Sequence, residues 1–319
     1  MSSSCSSFVN VTLYFTIAVF DGKSTNIKRQ YQVDMTLYLL SECEIKLFIR
    51  HKKRSNVRSP EQIPVRELIF REEEMKQLEL LKKLLHDNHF AETQNRLASK
   101  NLPKGITALL HGAPGTGKTE SVMQIARETE REIMKIDISQ SKSMWFGESE
   151  KIIKRVFTDY KSLCKACERI PILFFNEADA ILSKRVDVGS SNVAQTENTI
   201  QNILLEELEN FEGILLATTN LAKNFDPAFE RRFLFKVEFR QPDIETKAKI
   251  WKLKLPILTS DQFNALAVRY NFSGGQIDNI VRKAEIHEIV HGLTTSYETI
   301  IEYCNEELLQ RKRVEVGFR

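Results

Sequence analysis

Eight consecutive residues, Gly112-Ala113-Pro114-Gly115-Thr116-Gly117-Lys118-Thr119, have the form GxxxxGK[ST]. Each type has a task in holding a polyanion. Glycines let backbone N–H groups curl round phosphate oxygens with no Cβ in the way. A helix opening at the lysine adds the partial positive charge of its N-terminus. Lys118 has the reach for β- and γ-phosphates, and the Thr119 hydroxyl is an oxygen ligand for Mg²⁺. The chain has only 12 glycines in 319 residues, so a chance glycine-rich turn explains this cluster poorly. The chemistry indicated is nucleotide binding.

A second polar set follows 58 residues after Lys118, where the apolar run Ile172-Leu173-Phe174-Phe175 ends in Asn176-Glu177-Ala178-Asp179. Polar residues at the C-terminal end of a buried strand lie where α/β sheets bind their ligands. Glu177 is there to polarise a water near the γ-phosphate.

These residues need a scaffold, and the hydrophobic pattern supplies one. Apolar runs at 106–111, 132–138, 171–176, 213–219 and 233–239 read as strands. Between them, 118–129, 148–166 and 196–211 have helical periodicity, and an earlier helix from residue 71 lines up Met75, Leu78, Leu81, Leu84 and Leu85. Alternating strands and helices predict an α/β fold with a mostly parallel five-stranded sheet between helices. After residue 243 the pattern is helical throughout, which predicts a small α-helical domain. The expected organisation is a basic segment 1–60, a core 61–242 and a helical lid 243–319.

Composition narrows the class. With 42% hydrophobic and 28% charged residues, the chain is neither disordered nor collagen-like. Its net charge of +3 is uneven: residues 1–60 hold nine Lys/Arg against four Asp/Glu, and the rest is slightly acidic. That body argues against duplex nucleic acid as a partner. The basic run Arg50, His51, Lys52, Lys53, Arg54 and Arg58 reads as a solvated linker, with contact to nucleic acid or an acidic partner as the alternative. Within 1–60, FVNVTLYFTIAVF (8–20) reads as a strand, falling short of the ~20 apolar residues a membrane span needs. Five scattered cysteines fit a reducing compartment, so the expected location is cytoplasmic. Cys164 and Cys167 form a lone CxxC without a second ligand pair, which favours ordinary thiols over a metal or redox site.

From about residue 61 onward the chain resembles an AAA-family ATPase module. The resemblance is to the classical clade of the AAA+ superfamily, in a bacterial type of single module with FNEAD (175–179) as its acidic motif. Pro103-Lys104-Gly105, the phosphate loop, LLATTN (215–220), FDPAFERRF (225–233) and FSGGQI (272–277) carry the match. It implies a P-loop NTPase fold with ATP and Mg²⁺ as cofactors. It further implies that Asn220 is a sensor facing the γ-phosphate. Arg231 and Arg232 correspond to arginine fingers that enter a neighbouring subunit's site, hence a ring, usually a homo-hexamer. Gly274 and Gly275 correspond to small lid residues beside the nucleotide, while Gln276 and Asp278 stand where other branches carry a sensor arginine. Asn176 replaces the family's usual Asp at the Mg²⁺ water shell, and the lost charge is expected to weaken metal binding and turnover.

Two motifs bear on what the engine acts upon. Trp145-Phe146-Gly147, before GluSerGlu (148–150), resembles the aromatic–hydrophobic–glycine loop that grips polypeptide in the pore of such rings, with a second loop near 187–195. By composition alone, Trp145 and Phe146 equally suit a core. His287-Glu288-Ile289-Val290-His291 has the HExxH form of a zinc protease, with Glu302, Glu306 or Glu307 as third ligand. Against it, the same helix must turn Ile277, Ile280 and Ala284 inward. The leading expectation is Mg²⁺-dependent ATP hydrolysis in a ring that remodels or threads a protein, without membrane or nucleic acid. A nucleotide-gated assembly module with little turnover is the alternative, and an ATP-dependent zinc protease the remote one.

Overall fold

In the computed structural model the described residues are 13–18, 28–33, 56–138, 149–182, 192–220 and 226–314. The chain divides into two compact units, Met1–Lys53 and Arg54–Arg319. In the first, β1 (Leu13–Ala18) and β2 (Lys28–Val33) pair antiparallel from Leu13↔Val33 to Ala18↔Lys28. The strand expected in 8–20 is therefore present as β1.

The second unit is built on a six-stranded sheet of order β3-β5-β6-β7-β4-β8. Its parallel part is β4 (Ile106–Gly112), β5 (Ile133–Asp137), β6 (Ile172–Asn176), β7 (Ile214–Thr219) and β8 (Phe235–Phe239). These are the five expected strands. The sixth is β3 (Val57–Arg58), two residues that pair antiparallel with β5 at the sheet edge. Every residue of β6 and β7 is buried, as near-continuous apolar strands covered on both faces must be.

One face carries α1 (Glu72–Leu85) and α3 (Lys118–Glu128), through Leu78, Leu81, Leu85, Val122 and Ile125. The other carries α4 (Ser149–Cys164) and α6 (Asn192–Glu209), where Phe157, Tyr160, Leu204, Leu208 and Phe211 meet the sheet. Tyr160 is fully buried, with its hydroxyl donating to the Pro171 carbonyl (2.8 Å) and accepting the Ile214 N–H (3.0 Å). A helix absent from the sequence pattern, α2 (Asp87–Ser99), follows α1. Buried Arg131 secures this corner: its guanidinium donates to the carbonyls of Leu85 and Ile170, pairs with Asp87 and lies over the Phe90 ring.

Short helices α5 (Asp179–Leu182) and α7 (Pro227–Glu230) follow β6 and precede β8. The rest is helical: α8 (Ile244–Lys254), α9 (Ser260–Arg269), α10 (Gly274–His291) and α11 (Tyr297–Val314). Trp251, Leu266, Phe272, Ile277, Ile280, Ile300 and Cys304 form a core among them. Side-chain caps begin three of these helices: Asp243 on α8, Thr259 on α9 and Ser273 on α10. Gly292, in the left-handed conformation, ends α10.

Candidate active site

Because the five strands are parallel, the C-terminal ends of β4, β5, β6 and β7 all meet one edge of the sheet. β4 delivers Gly112, whose φ of +135° only glycine takes easily; a Cβ there would fall 2.0 Å from the Phe239 carbonyl oxygen. The loop closes at Gly117 (φ +93°), the N-cap of α3. Lys118 is buried, and its ammonium donates to the carbonyls of Gly112 (2.9 Å) and Ala113 (2.6 Å). Desolvation lowers its pKa to about 8, against the opposing pull of the Asp179 carboxylate. Thr116 closes the turn by donating to the Ala113 carbonyl at 2.8 Å, while Pro114 and Gly115 face outward.

Asn176, at the end of β6, is the hub of the neighbouring polar network. Its Oδ1 accepts from the hydroxyls of Thr119 (2.9 Å) and Thr218 (3.2 Å), and its Nδ2 donates to Asp137 Oδ1 at 2.7 Å. Thr119 and Asn176 thus present two hard oxygen donors side by side at the phosphate loop, a set that suits Mg²⁺ beside a nucleotide. The Thr218 hydroxyl also accepts the Glu177 N–H (3.3 Å), fixing a residue held at a left-handed φ of +53° with its side chain exposed. Asp179 accepts from the Thr219 hydroxyl and from the Asn220 N–H (2.8 Å), so the acidic motif and exposed Asn220, the expected sensor, are tied together.

The arginines lie elsewhere. Arg231 and Arg232 precede β8, and in the parallel register Phe235 pairs with Ala108 while Phe239 pairs with Gly112. They sit at the opposite edge of the sheet from the phosphate loop, roughly 15–20 Å away at the rise of a strand. The two differ in setting. Arg231 is exposed, and its side chain donates to the Pro227 carbonyl at 3.4 Å. Arg232 is held within the chain by Glu209 and by the Ala228 carbonyl (2.8 Å), and its carbonyl accepts from Thr107 (2.7 Å).

The glycines that open α10 meet the phosphate loop directly: the Gly275 N–H donates to the Gly115 carbonyl at 2.9 Å. A Cβ on Gly275 would crowd Gly115 Cα at 3.2 Å, and Gly274 lies beside the same carbonyl. Gln276 is occupied in the capping box with Ser273, and Asp278 pairs with Lys254 at 3.0 Å.

Trp145, Phe146 and Gly147 lie outside the described residues, as do 187–191 of the second expected loop. In the HExxH segment, His287 Nδ1 meets the Tyr303 hydroxyl (2.9 Å) and Glu288 accepts the Thr295 N–H (2.9 Å) in the turn after α10. Among the described residues there is no group of three metal-ligating side chains, Cys164 and Cys167 included. Burial raises the Cys164 pKa, and the Cys167 thiol lies 3.3 Å from Glu132. Among the described residues the zinc-protease alternative thus has no ligand set, and its glutamate is already engaged. Nor is any described helix long and apolar enough to cross a membrane.

Sequence reasoning passed over Asp137, Thr218 and Ser273. The pairing of Asp137 with Asn176 is a matter of register, and Thr218 stood in plain view within LLATTN with only its neighbour Asn220 singled out.

Comparison with known proteins agrees with this geometry. The family model described as "ATPase family associated with various cellular activities (AAA)" matches residues 108–241. Among curated relatives, the proteasome-activating nucleotidase of Sulfurisphaera tokodaii is 32% identical over 201 residues, 60% of this chain and 49% of that protein. Protein CdcH of Halobacterium salinarum is 32% identical over 197 residues, 59% and 25% of the two chains. Cell division protein C of Sulfolobus acidocaldarius is 28% identical over 194 residues, 59% and 51%. The chain thus matches between a quarter and about half the length of these relatives. The matched segment contains the phosphate loop, Asn176, Asn220 and Arg231, so residues 108–241 of this chain are similar to the AAA family of ATPases.

Proposed function

We propose that this chain binds ATP with Mg²⁺ and hydrolyses it. The observation that carries the reading is the convergence of Lys118, Thr119, Asn176 and Glu177 on one sheet edge. Lys118, freed from its two carbonyl partners, meets the β- and γ-phosphates, and the loop's N–H groups hold the phosphate oxygens. Thr119 and Asn176 would hold the magnesium, which would offset phosphate charge. Glu177 orients and deprotonates the attacking water, with Asn220 positioned alongside it by Asp179. A steady-state ATPase assay tests this. Lys118→Ala should abolish nucleotide binding, whereas Glu177→Gln should bind ATP and turn it over at least roughly a hundredfold more slowly. Wild-type turnover no faster than that of Lys118→Ala rules hydrolysis out.

The finer reading is a homo-oligomeric ring, a hexamer, in which Arg231 completes the neighbour's site and a polypeptide is remodelled through the loop at Trp145, Phe146 and Gly147. Support comes from the exposed Arg231 remote from its own phosphate loop, and from relatives named as proteasome-activating nucleotidases. Trp145→Ala should leave nucleotide binding intact and stop remodelling of a test substrate; undiminished remodelling removes the loop from the mechanism. A nucleotide-gated assembly module with little turnover is favoured by one observation, the neutral amide of Asn176 at the metal position. Oligomerisation that follows ATP addition without phosphate release would select it.

A further inference from the structure

The structure points to a division of labour at the metal position: Asn176 supplies the oxygen, and Asp137, one hydrogen bond behind it, polarises the amide and fixes which end faces the phosphate loop. This rests on the nucleotide and magnesium reading above and names a positioning residue for it.

The two residues are direct register partners on adjacent parallel strands, β5 and β6. An asparagine amide has two ends of similar shape and opposite polarity, so something must decide which end faces the phosphate loop. Asp137 decides it. A carboxylate can only accept, so Asn176 Nδ2 turns toward it at 2.7 Å and Oδ1 turns toward Thr119 and Thr218. Both hydroxyls donate to Oδ1, so all four groups agree on one polarity. Hydrogen bonding to an anion also polarises the amide and adds negative charge at Oδ1. Lys135 Nζ meets the same Asp137 oxygen at 2.9 Å and helps to anchor the carboxylate. Lys135 balances the carboxylate's charge, so what the pair presents to a cation is an amide dipole polarised and oriented by Asp137, in place of a carboxylate in direct reach.

Titration of a fluorescent ATP analogue, once with Mg²⁺ and once with EDTA, tests the assignment on the full chain. Asp137→Asn removes the charge, keeps the shape and frees the amide to turn; it should cut the Mg²⁺ preference about tenfold while metal-free affinity stays within about twofold. Asn176→Asp alone brings two carboxylates to hydrogen-bonding distance and should lower the melting temperature of the nucleotide-free protein. Combining Asn176→Asp with Asp137→Asn reverses the polarity of the same bond at constant charge, and should restore the Mg²⁺ preference to within about threefold of wild type. An Mg²⁺ preference unchanged by Asp137→Asn overturns the assignment, as does a double variant no better than Asp137→Asn. Should Asp137→Asn lose metal-free binding as well, the double variant alone decides: recovered Mg²⁺ preference supports the assignment and its absence overturns it. A wild-type protein that binds no nucleotide under either condition overturns the parent reading too, which separates the two failures.

Discussion

Lys118 gives the residue scale its sharpest expectation. It must be charged to hold phosphate, yet burial lowers its pKa to about 8. Binding an anion favours the charged form, so the proton is worth more in the complex than in the free site. ATP affinity should therefore be level in this group below pH 8 and fall above it, approaching about tenfold per pH unit. Isothermal titration between pH 7 and 10 measures this, and proton uptake on binding above pH 8 should accompany it. A flat profile would show that the lysine keeps its ordinary pKa. The phosphate loop was legible in the sequence because each of its residue types has a distinct physical duty at a fixed spacing. Asp137 was not. It is one of 43 acids, and only the register of β5 against β6 brings it to Asn176.

Among elements, the five parallel strands were legible because fully buried strands leave continuous apolar runs between helices of period 3.6. The two structures that escaped, β3 and α2, leave almost no such trace. β3 is two residues long, and α2 buries only Phe90. What holds α2 is not its own periodicity but Arg131, reaching it from 44 residues away in sequence. Tyr160 plays a similar part between α4 and the sheet, where its hydroxyl joins Pro171 to Ile214. Tyr160→Phe leaves a buried carbonyl and a buried N–H short of a partner and should cost about 1–3 kcal/mol. Urea denaturation reads this as a lower midpoint at unchanged slope. A variant as stable as wild type would mean that water replaces the hydroxyl.

At the scale of the whole molecule, the two arginines are expected to separate. Arg231→Ala should retain ATP binding and lose hydrolysis by roughly 10³-fold, the scale of an arginine finger. Arg232→Ala should mainly lower the melting temperature, since Arg232 is tied to Glu209 and Ala228 of the same chain. Mixing the inactive Arg231→Ala and Lys118→Ala proteins should regain activity. In mixed assemblies some sites then pair an intact Lys118 with a neighbour's intact Arg231. No recovery on mixing, with assembly verified, counts against the shared site.

The 2.9 Å bond from Gly275 to Gly115 joins the opening turn of α10 to the phosphate loop, and it has a thermodynamic corollary. If occupancy of the loop favours one setting of the terminal helices, then whatever clasps those helices in that setting must favour occupancy by the same factor. The influence is reciprocal and needs no separate regulatory pocket. A partner that never approaches the nucleotide can govern how tightly it is held, by leaning on a helix.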